Sequence, residues 1–205
     1  MLIDVLFFIW EGKAVDFKEM KIDIFNTKKR YDIIYTDPPW KQGKGGRKAV
    51  RPNSSGGKLD YPTMTMQEIK TLHKDVLSRL VNTKHNVFMW TIDKYLIDAQ
   101  RMMEDLGYTL HTRITWDKVT GVAPAFTVRF SSEYLLWFYQ KGNMLKPHDN
   151  ARGKYATVMT EQVTSHSQKP EHAYLMLEDM FRGKEKLELF ARNYRESWDC
   201  WGNEV

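Results

Sequence analysis

Apolar and polar positions switch period several times along this chain, and the switches outline its elements. Tyr31-Asp32-Ile33-Ile34-Tyr35-Thr36 is a β-branched and aromatic run of the kind that forms a short buried strand. Asp37-Pro38-Pro39-Trp40 ends it, because two consecutive prolines support neither a helix nor a continued ladder. Upstream, residues 1–10 read as a first strand and residues 17–25 as a mixed apolar segment. Thr65-Met66-Gln67-Glu68 has the form of a capping box, and Ile69, Leu72, Val76, Leu77 and Leu80 follow at helical spacing. A strand pattern over 86–92 leads to Asp93, placed to cap a second helix. The apolar face of that helix is Tyr95, Leu96, Ala99, Met102, Met103 and Leu106, and Gly107 marks its end. Residues 108–116 and 133–139 alternate as strands. Pro170 stands where a third helix starts, with Ala173, Tyr174, Leu177, Met180 and Phe181 facing inward and Gly183 just past the end. Residues 186–192 form a last strand.

Strands alternating with helices predict an α/β protein with a mostly parallel, doubly wound sheet, here in a single domain over 1–205. Two stretches, 41–60 and 142–168, are long enough without a pattern to be expected as mobile loops. The first holds five glycines, six Lys or Arg and one acid, too little apolar surface to hold itself in place. A solvated loop and a loop that orders on phosphates both fit that composition.

Composition adds modest constraints. A net charge of +5 and a pI of about 9.1 favour a polyanionic partner. Cys200 is the only cysteine, which rules out an intramolecular disulfide and a Cys-rich zinc site and fits the reducing cytoplasm of a prokaryote or its phage. No stretch is apolar for long enough to span a membrane. None of His73, His85, His111, His148, His166 and His172 stands at metal-ligand spacing with another ligand, so no metal is expected. Gly43-Lys44-Gly45-Gly46 lacks the spacing of a phosphate loop.

Candidate chemistry gathers at Asp37. Ligands of open α/β sheets bind at the carboxyl ends of the strands, so the turn there brings a carboxylate, a rigid carbonyl and an indole to a site mouth. Alone, the tetrapeptide is equally a proline-stiffened turn with a core tryptophan. It does not stand alone. Tyr61-Pro62-Thr63-Met64, His166-Ser167-Gln168-Lys169-Pro170-Glu171, the run 187–192 and Trp201-Gly202-Asn203-Glu204 follow it in order. Together these motifs resemble the adenine-N6 methyltransferase family of the catalytic subunit of the eukaryotic mRNA N6-methyladenosine writer and its bacterial and phage relatives. The resemblance covers 22–204, nearly the whole chain.

That resemblance implies a Rossmann-like methyltransferase fold whose catalytic motif precedes the cofactor strand in sequence, with S-adenosyl-L-methionine as methyl donor. It implies catalytic roles for Asp37, Pro38, Pro39 and Trp40. Asp23 with Ile24 matches the position that holds the cofactor's adenine ring. Lys169 matches a lysine near the cofactor carboxylate or the substrate, and Arg192, Asn203 and Glu204 match positions holding the ribose and amino-acid end. Asp37 adjoins the cofactor as well. Tyr61 and Glu133 match substrate-side positions, and Lys44, Arg47, Lys48 and Arg51 are expected to meet phosphates. The family's His-Asn pair just past the arginine is replaced here by Asn193-Tyr194-Arg195.

The residue types suit the chemistry. An adenine amino nitrogen is a poor nucleophile because its lone pair is delocalised into the ring. If the Asp37 carboxylate and the Pro38 carbonyl each accept one N6 hydrogen, the lone pair turns toward the methyl donor, and the developing positive charge meets fixed acceptors. Trp40 is expected to stack on the base. The expected activity is therefore adenine-N6 methylation of nucleic acid, DNA ahead of RNA, by a homodimer or a heterodimer with a related subunit. The alternative is a non-catalytic nucleic-acid-binding partner, because the family pairs active with inactive subunits; the intact tetrapeptide, with Asp23, Lys169 and Asn203, argues against it.

Overall fold

The sheet is built outward from β3 (Tyr31–Thr36), the run that ends in the Asp-Pro-Pro-Trp turn. In the computed structural model, which describes residues 8–10, 13–15, 20–41, 62–119, 128, 130–163 and 168–205, β4 (Val81–Thr91) and β8 (Lys186–Leu189) flank β3 in parallel. β9 (Asp199–Trp201) lies parallel beyond β8. On the other side β4 meets β6 (Ser132–Tyr139), which is reversed, followed by β5 (Thr109–Asp117) and β7 (Val158–Thr160). The order is β7-β5-β6-β4-β3-β8-β9, seven strands with only β6 antiparallel to the rest. A separate antiparallel pair, β1 (Phe8–Trp10) and β2 (Lys13–Val15), precedes it.

Period-two alternation divides the central strands between two cores. Ile34, Val87, Met89, Leu136 and Phe138 pack with Ile69, Val76 and Leu77 of α1 (Met66–Arg79) and with Ala99, Met102 and Met103 of α2 (Leu96–Asp105). Ile33, Tyr35, Phe88, Trp90, Leu135 and Trp137 face the other way, onto Ala173, Met176, Leu177 and Met180 of α3 (Glu171–Met180). Helices on both faces of a parallel sheet bury every central strand on two sides. The capping box at the start of α1 forms as its spacing requires: Glu68 N–H donates to Thr65 Oγ1 at 3.3 Å and Thr65 N–H to Glu68 Oε2 at 2.7 Å.

This winding marks the edge at which ligands of open α/β sheets generally bind. From β3 the chain crosses through α1 to β4 on one side, whereas β8 lies on the other side and leads away to β9. The strand order reverses between β3 and β8, so the switch-point crevice opens at their carboxyl ends. The chain after β3, β4, β5, β7, β8 and β9, and the start of the reversed β6, all lie along that edge.

Several boundaries differ from the sequence pattern. β4 begins at Val81, five residues before the expected 86, because its polar start Asn82-Thr83-Lys84 extends past the sheet's apolar centre. Asp93 does not cap a helix: it opens a short 3-10 turn, and its carboxylate accepts from Tyr134 Oη at 3.5 Å. The stretch 142–168, expected as a loop, holds a 3-10 turn at Asp149–Ala151 and the edge strand β7, with Leu145, Ala151 and Met159 buried. Glu161, just past β7, accepts the backbone N–H of Glu171 at 2.7 Å and of His172 at 2.9 Å, and so caps α3 from a distance. The loop 42–60 lies outside the described residues.

The last expected strand is also shorter. β8 stops at Leu189, and Phe190 turns the chain out with φ +63°, a left-handed conformation that costs a non-glycine residue about 1–2 kcal/mol. Ala191 N–H, bonded to the Trp201 carbonyl at 3.0 Å, holds the turn against the chain leaving β9. Gly202 makes that approach possible, since a Cβ there would sit 2.1 Å from the Ala191 carbonyl oxygen. Gly202→Ala is therefore expected to lower unfolding stability by about 2 kcal/mol or more in urea titrations; a loss under about 0.5 kcal/mol would contradict the close packing.

Candidate active site

At the carboxyl end of β3 the two prolines fold the chain into a tight turn. Trp40 N–H donates to the Pro38 carbonyl at 2.8 Å, and the Pro39 carbonyl accepts Met64 N–H at 2.9 Å, which brings residues 62–64 alongside. One lone pair of the Pro38 oxygen is thereby occupied and the other is left. Behind the turn, Thr36 Oγ1 donates to Nε2 of His73 at 3.1 Å, while His73 Nδ1 donates to the Ile69 carbonyl at 2.8 Å. A neutral imidazole, buried completely, thus ties α1 to the residue before Asp37.

Asp37 heads a run of alternating charges. Lys169, just before α3, places Nζ 3.1 Å from Asp37 Oδ1 and donates to Glu133 Oε2 at 2.7 Å. The other Glu133 oxygen, Oε1, accepts from Lys118 at 2.9 Å. The four side chains come from the ends of β3, β6 and β5 and from the approach to α3, and each keeps only 12–18% of its surface exposed. Burial pushes the Asp37 carboxyl up and Glu133 adds to the push; Lys169 and Arg192 pull it back without cancelling it. Burial opposes the charges of Glu133 and Lys169 as well, but their ionic partners outweigh it. Glu133 lies below the ordinary carboxylate range and Lys169 above the ordinary amine range.

Trp90 supports this group from β4. Lys169 Nζ stands 5.2 Å from the centre of its ring, its Nε1 donates to Tyr35 Oη at 2.5 Å, and its carbonyl accepts Trp40 Nε1 at 3.1 Å. Trp40 is correspondingly 4% exposed, with Tyr95 stacked on it at 5.3 Å and 21°. The sequence offered this indole both as a stacking face for a base and as a core residue of the turn; with a face covered by Tyr95 and its N–H bonded inward, it anchors the turn.

The other nominated residues line the same edge. Arg192 and Glu204 pair at 3.0 Å, with Asn203 exposed beside them. The segment Met20–Ile22 bonds along β9, so Asp23 also emerges at that edge. Its carboxylate closes its own turn, accepting from Phe25 N–H at 2.9 Å and Asn26 Nδ2 at 2.5 Å, which holds its pKa below the usual range. Ile24 is fully buried, and its carbonyl accepts from Arg79 at 3.0 Å. Tyr61, Lys44, Arg47, Lys48 and Arg51 lie outside the described residues. Arg195, where the family pattern departs, anchors α3: it pairs with Glu171 at 2.8 Å and with Glu178, and stands over the Tyr174 ring at 4.6 Å.

Lys118, Trp90 and the buried Glu188 were not among the residues nominated from the sequence. Glu188 accepts from Tyr174 Oη at 2.8 Å, and burial lifts its pKa to about 7. The signal for Lys118 is its register: β5 pairs with β6 so that Trp116 faces Glu133, a fact available only once the strands are aligned.

The family model described as MT-A70 matches residues 31–204, and the chain belongs to that family. It is 30% identical over 191 residues to a type II methyltransferase, M.MunI, of Mycoplasma sp., covering 87% of this chain and 79% of that enzyme. It is 25% identical over 197 residues to a putative N(6)-adenosine-methyltransferase MT-A70-like protein of Medicago truncatula, and 24% identical over 184 residues to the human N(6)-adenosine-methyltransferase catalytic subunit METTL3. The chain spans 28% of the length of each of these two eukaryotic proteins.

Burial holds the His73 pKa down to about 4, against 6.5 for a free histidine. The unfolded chain therefore binds the proton first as pH falls. The stability that neutral His73 contributes is complete above pH 6.5 and is lost between there and pH 4. Urea unfolding is expected to weaken by about 3 kcal/mol over that window relative to a His73→Gln variant; parallel pH profiles for the two proteins would contradict it.

Proposed function

We propose that this chain is an S-adenosyl-L-methionine-dependent methyltransferase acting on N6 of adenine in nucleic acid, in DNA ahead of RNA. The observation that carries the reading is the Asp37 carboxylate, held at the switch-point crevice and sharing the Lys169 ammonium, in a chain of the MT-A70 family. The relatives' names support the adenine-N6 position, and preference for DNA follows the type II methyltransferase, of whose length the chain covers far more.

The residues at the edge suit the cofactor. It is a zwitterion with an additional cationic sulfur, and this edge presents both signs: carboxylates at Asp37, Glu133 and Glu204, cations at Lys169 and Arg192. Arg192, Asn203 and Glu204 would hold the ribose and amino-acid end, and Asp23 and Ile24 the adenine through their backbone, since the Asp23 carboxylate is occupied in its turn. When bound, the cofactor supplies an electrophilic methyl group on sulfur.

The protein's part is alignment and charge. Asp37 and the remaining lone pair of the Pro38 carbonyl accept the two N6 hydrogens, which directs the nitrogen lone pair to the methyl. Lys169 holds Asp37 ionised for that role. The proton that N6 sheds after methylation has the Asp37 carboxylate as its first acceptor. Lys44, Arg47, Lys48 and Arg51 hold phosphates, and a duplex target adds a few kcal/mol for flipping the base out. The working form is a homodimer or a pair with a related subunit, in the cytoplasm of a prokaryote or of a phage's host.

Tritium from the methyl-labelled cofactor is expected on N6 of adenine in oligonucleotides, with single-stranded or duplex DNA labelled faster than RNA at equal salt. Asp37→Ala is expected to slow transfer at least about 100-fold while calorimetry still detects cofactor binding. Absence of label from the purified chain, alone or with a related subunit, would sink the enzyme reading. Neutralising the four loop cations together is expected to reduce the slope of log affinity against log salt by about 3; an unchanged slope would remove the loop from the interface.

A further inference from the structure

Lys118 has no assigned part in this chemistry, yet it terminates the buried charge run from its outer end. The run has four members and alternates strictly: Lys118, Glu133, Lys169, Asp37, with contacts of 2.9, 2.7 and 3.1 Å. Lys169 is the only member shared between two carboxylates, and its contact to Glu133 is the shorter. What Asp37 receives from Lys169 therefore depends on how strongly Glu133 competes for it, and Lys118 sets that competition.

We propose that Lys118 is a positioning residue: by neutralising Glu133 from the far side, it leaves Lys169 shared with Asp37 and keeps the Asp37 carboxylate ionised. Without Lys118 the run holds two carboxylates and one ammonium. Glu133 then takes Lys169 more completely, and its uncompensated charge bears on Asp37. In a partly buried group at this spacing such a charge is not screened away.

The surroundings of each member support this division. Lys118, just past the end of β5, faces Glu133 and, at 5.8 Å, the ring of Trp116 on that strand. Asp37 faces Lys169, Glu133 and Arg192, and feels Glu188 and Tyr35 from β8 and β3. Among the described residues Lys169 makes the ion pair with Asp37 at 3.1 Å, and Arg192, which also pairs with Glu204, adds its charge. Glu188 stands against Tyr174 on the α3 side of the sheet and is charged or neutral according to pH near 7. It therefore affects Asp37 in every variant alike.

The role rests on the proposed methyl transfer only for its consequence, so the test reads Asp37 directly in the ligand-free protein. The side-chain carboxyl 13C signal of Asp37, assigned by its absence in Asp37→Asn, is titrated by NMR. Lys118→Met is expected to raise its midpoint by about one pH unit, Lys118→Arg to leave it in place, and Lys118→Met with Glu133→Gln to bring it back. Glu133→Gln alone is expected to lower it, which keeps the proposal testable if Lys118→Met does not fold. The acid limb of methyl transfer should move with the midpoint. An Asp37 midpoint indifferent to Lys118→Met, or moved equally by Lys118→Arg, overturns the role whatever the activity. A midpoint that moves as expected in a chain that transfers no methyl group upholds it while refuting the proposed function. A loss of transfer at every pH with the midpoint fixed would place Lys118 on the substrate and also overturns it.

Discussion

One ammonium group shared between two carboxylates organises the functional edge of this protein. Lys169 reaches Asp37 from one side and Glu133 from the other, in a place where each charge is mostly removed from water. Removing a carboxylate from water costs several kcal/mol unless it is paired, and the fold meets that requirement by bringing four elements to one point. β3 leads to Asp37, reversed β6 delivers Glu133 at its start, Lys118 stands just past the end of β5, and the capped entry to α3 supplies Lys169. The reversal of β6 matters here: only an antiparallel strand begins at the edge where its neighbours end, so Glu133 reaches the site from the first turn of its strand.

The site is braced by contacts that lie outside the charge run. Trp40 is locked by Trp90 and Tyr95, the neutral His73 ties α1 to Thr36, and Glu161 caps α3 just past Lys169. The Trp40 and His73 hydrogen bonds are buried and join elements distant in sequence, whereas the Glu161 cap is exposed and spans ten residues. The Asp-Pro-Pro-Trp turn is thus both things its residues suggested. Its aspartate heads the charge run at the sheet edge, and its tryptophan is core.

Much of this was legible in the sequence. The central strand, the three helices, the capping box at Thr65 and the mostly parallel sheet follow from apolar period and caps, because those signals are local. The short edge strands β7 and β9 were missed: three residues give no period to detect, and their existence depends on neighbours. Asp93 looked like a cap by composition but lies one 3-10 turn before α2. Asp37, Lys169, Arg192 and Glu204 were nominated through motifs and Glu133 through the family resemblance, and the structure sets all five along one edge. Lys118 and Trp90 belong to no motif and enter only through strand register, and the ring that covers Trp40, Tyr95, comes from 55 residues away.

The central claim is that Asp37 is where the adenine amino group is received. A crystal structure of the chain with a non-reactive cofactor analogue and a short adenine-containing oligonucleotide tests it most directly. The expected result is a target adenine with N6 within hydrogen-bond distance, about 2.7–3.2 Å, of both the Asp37 carboxylate and the Pro38 carbonyl, with Lys169 still in contact with Asp37. An adenine seated elsewhere on the sheet edge, with Asp37 closed off by Lys169 alone, would contradict it.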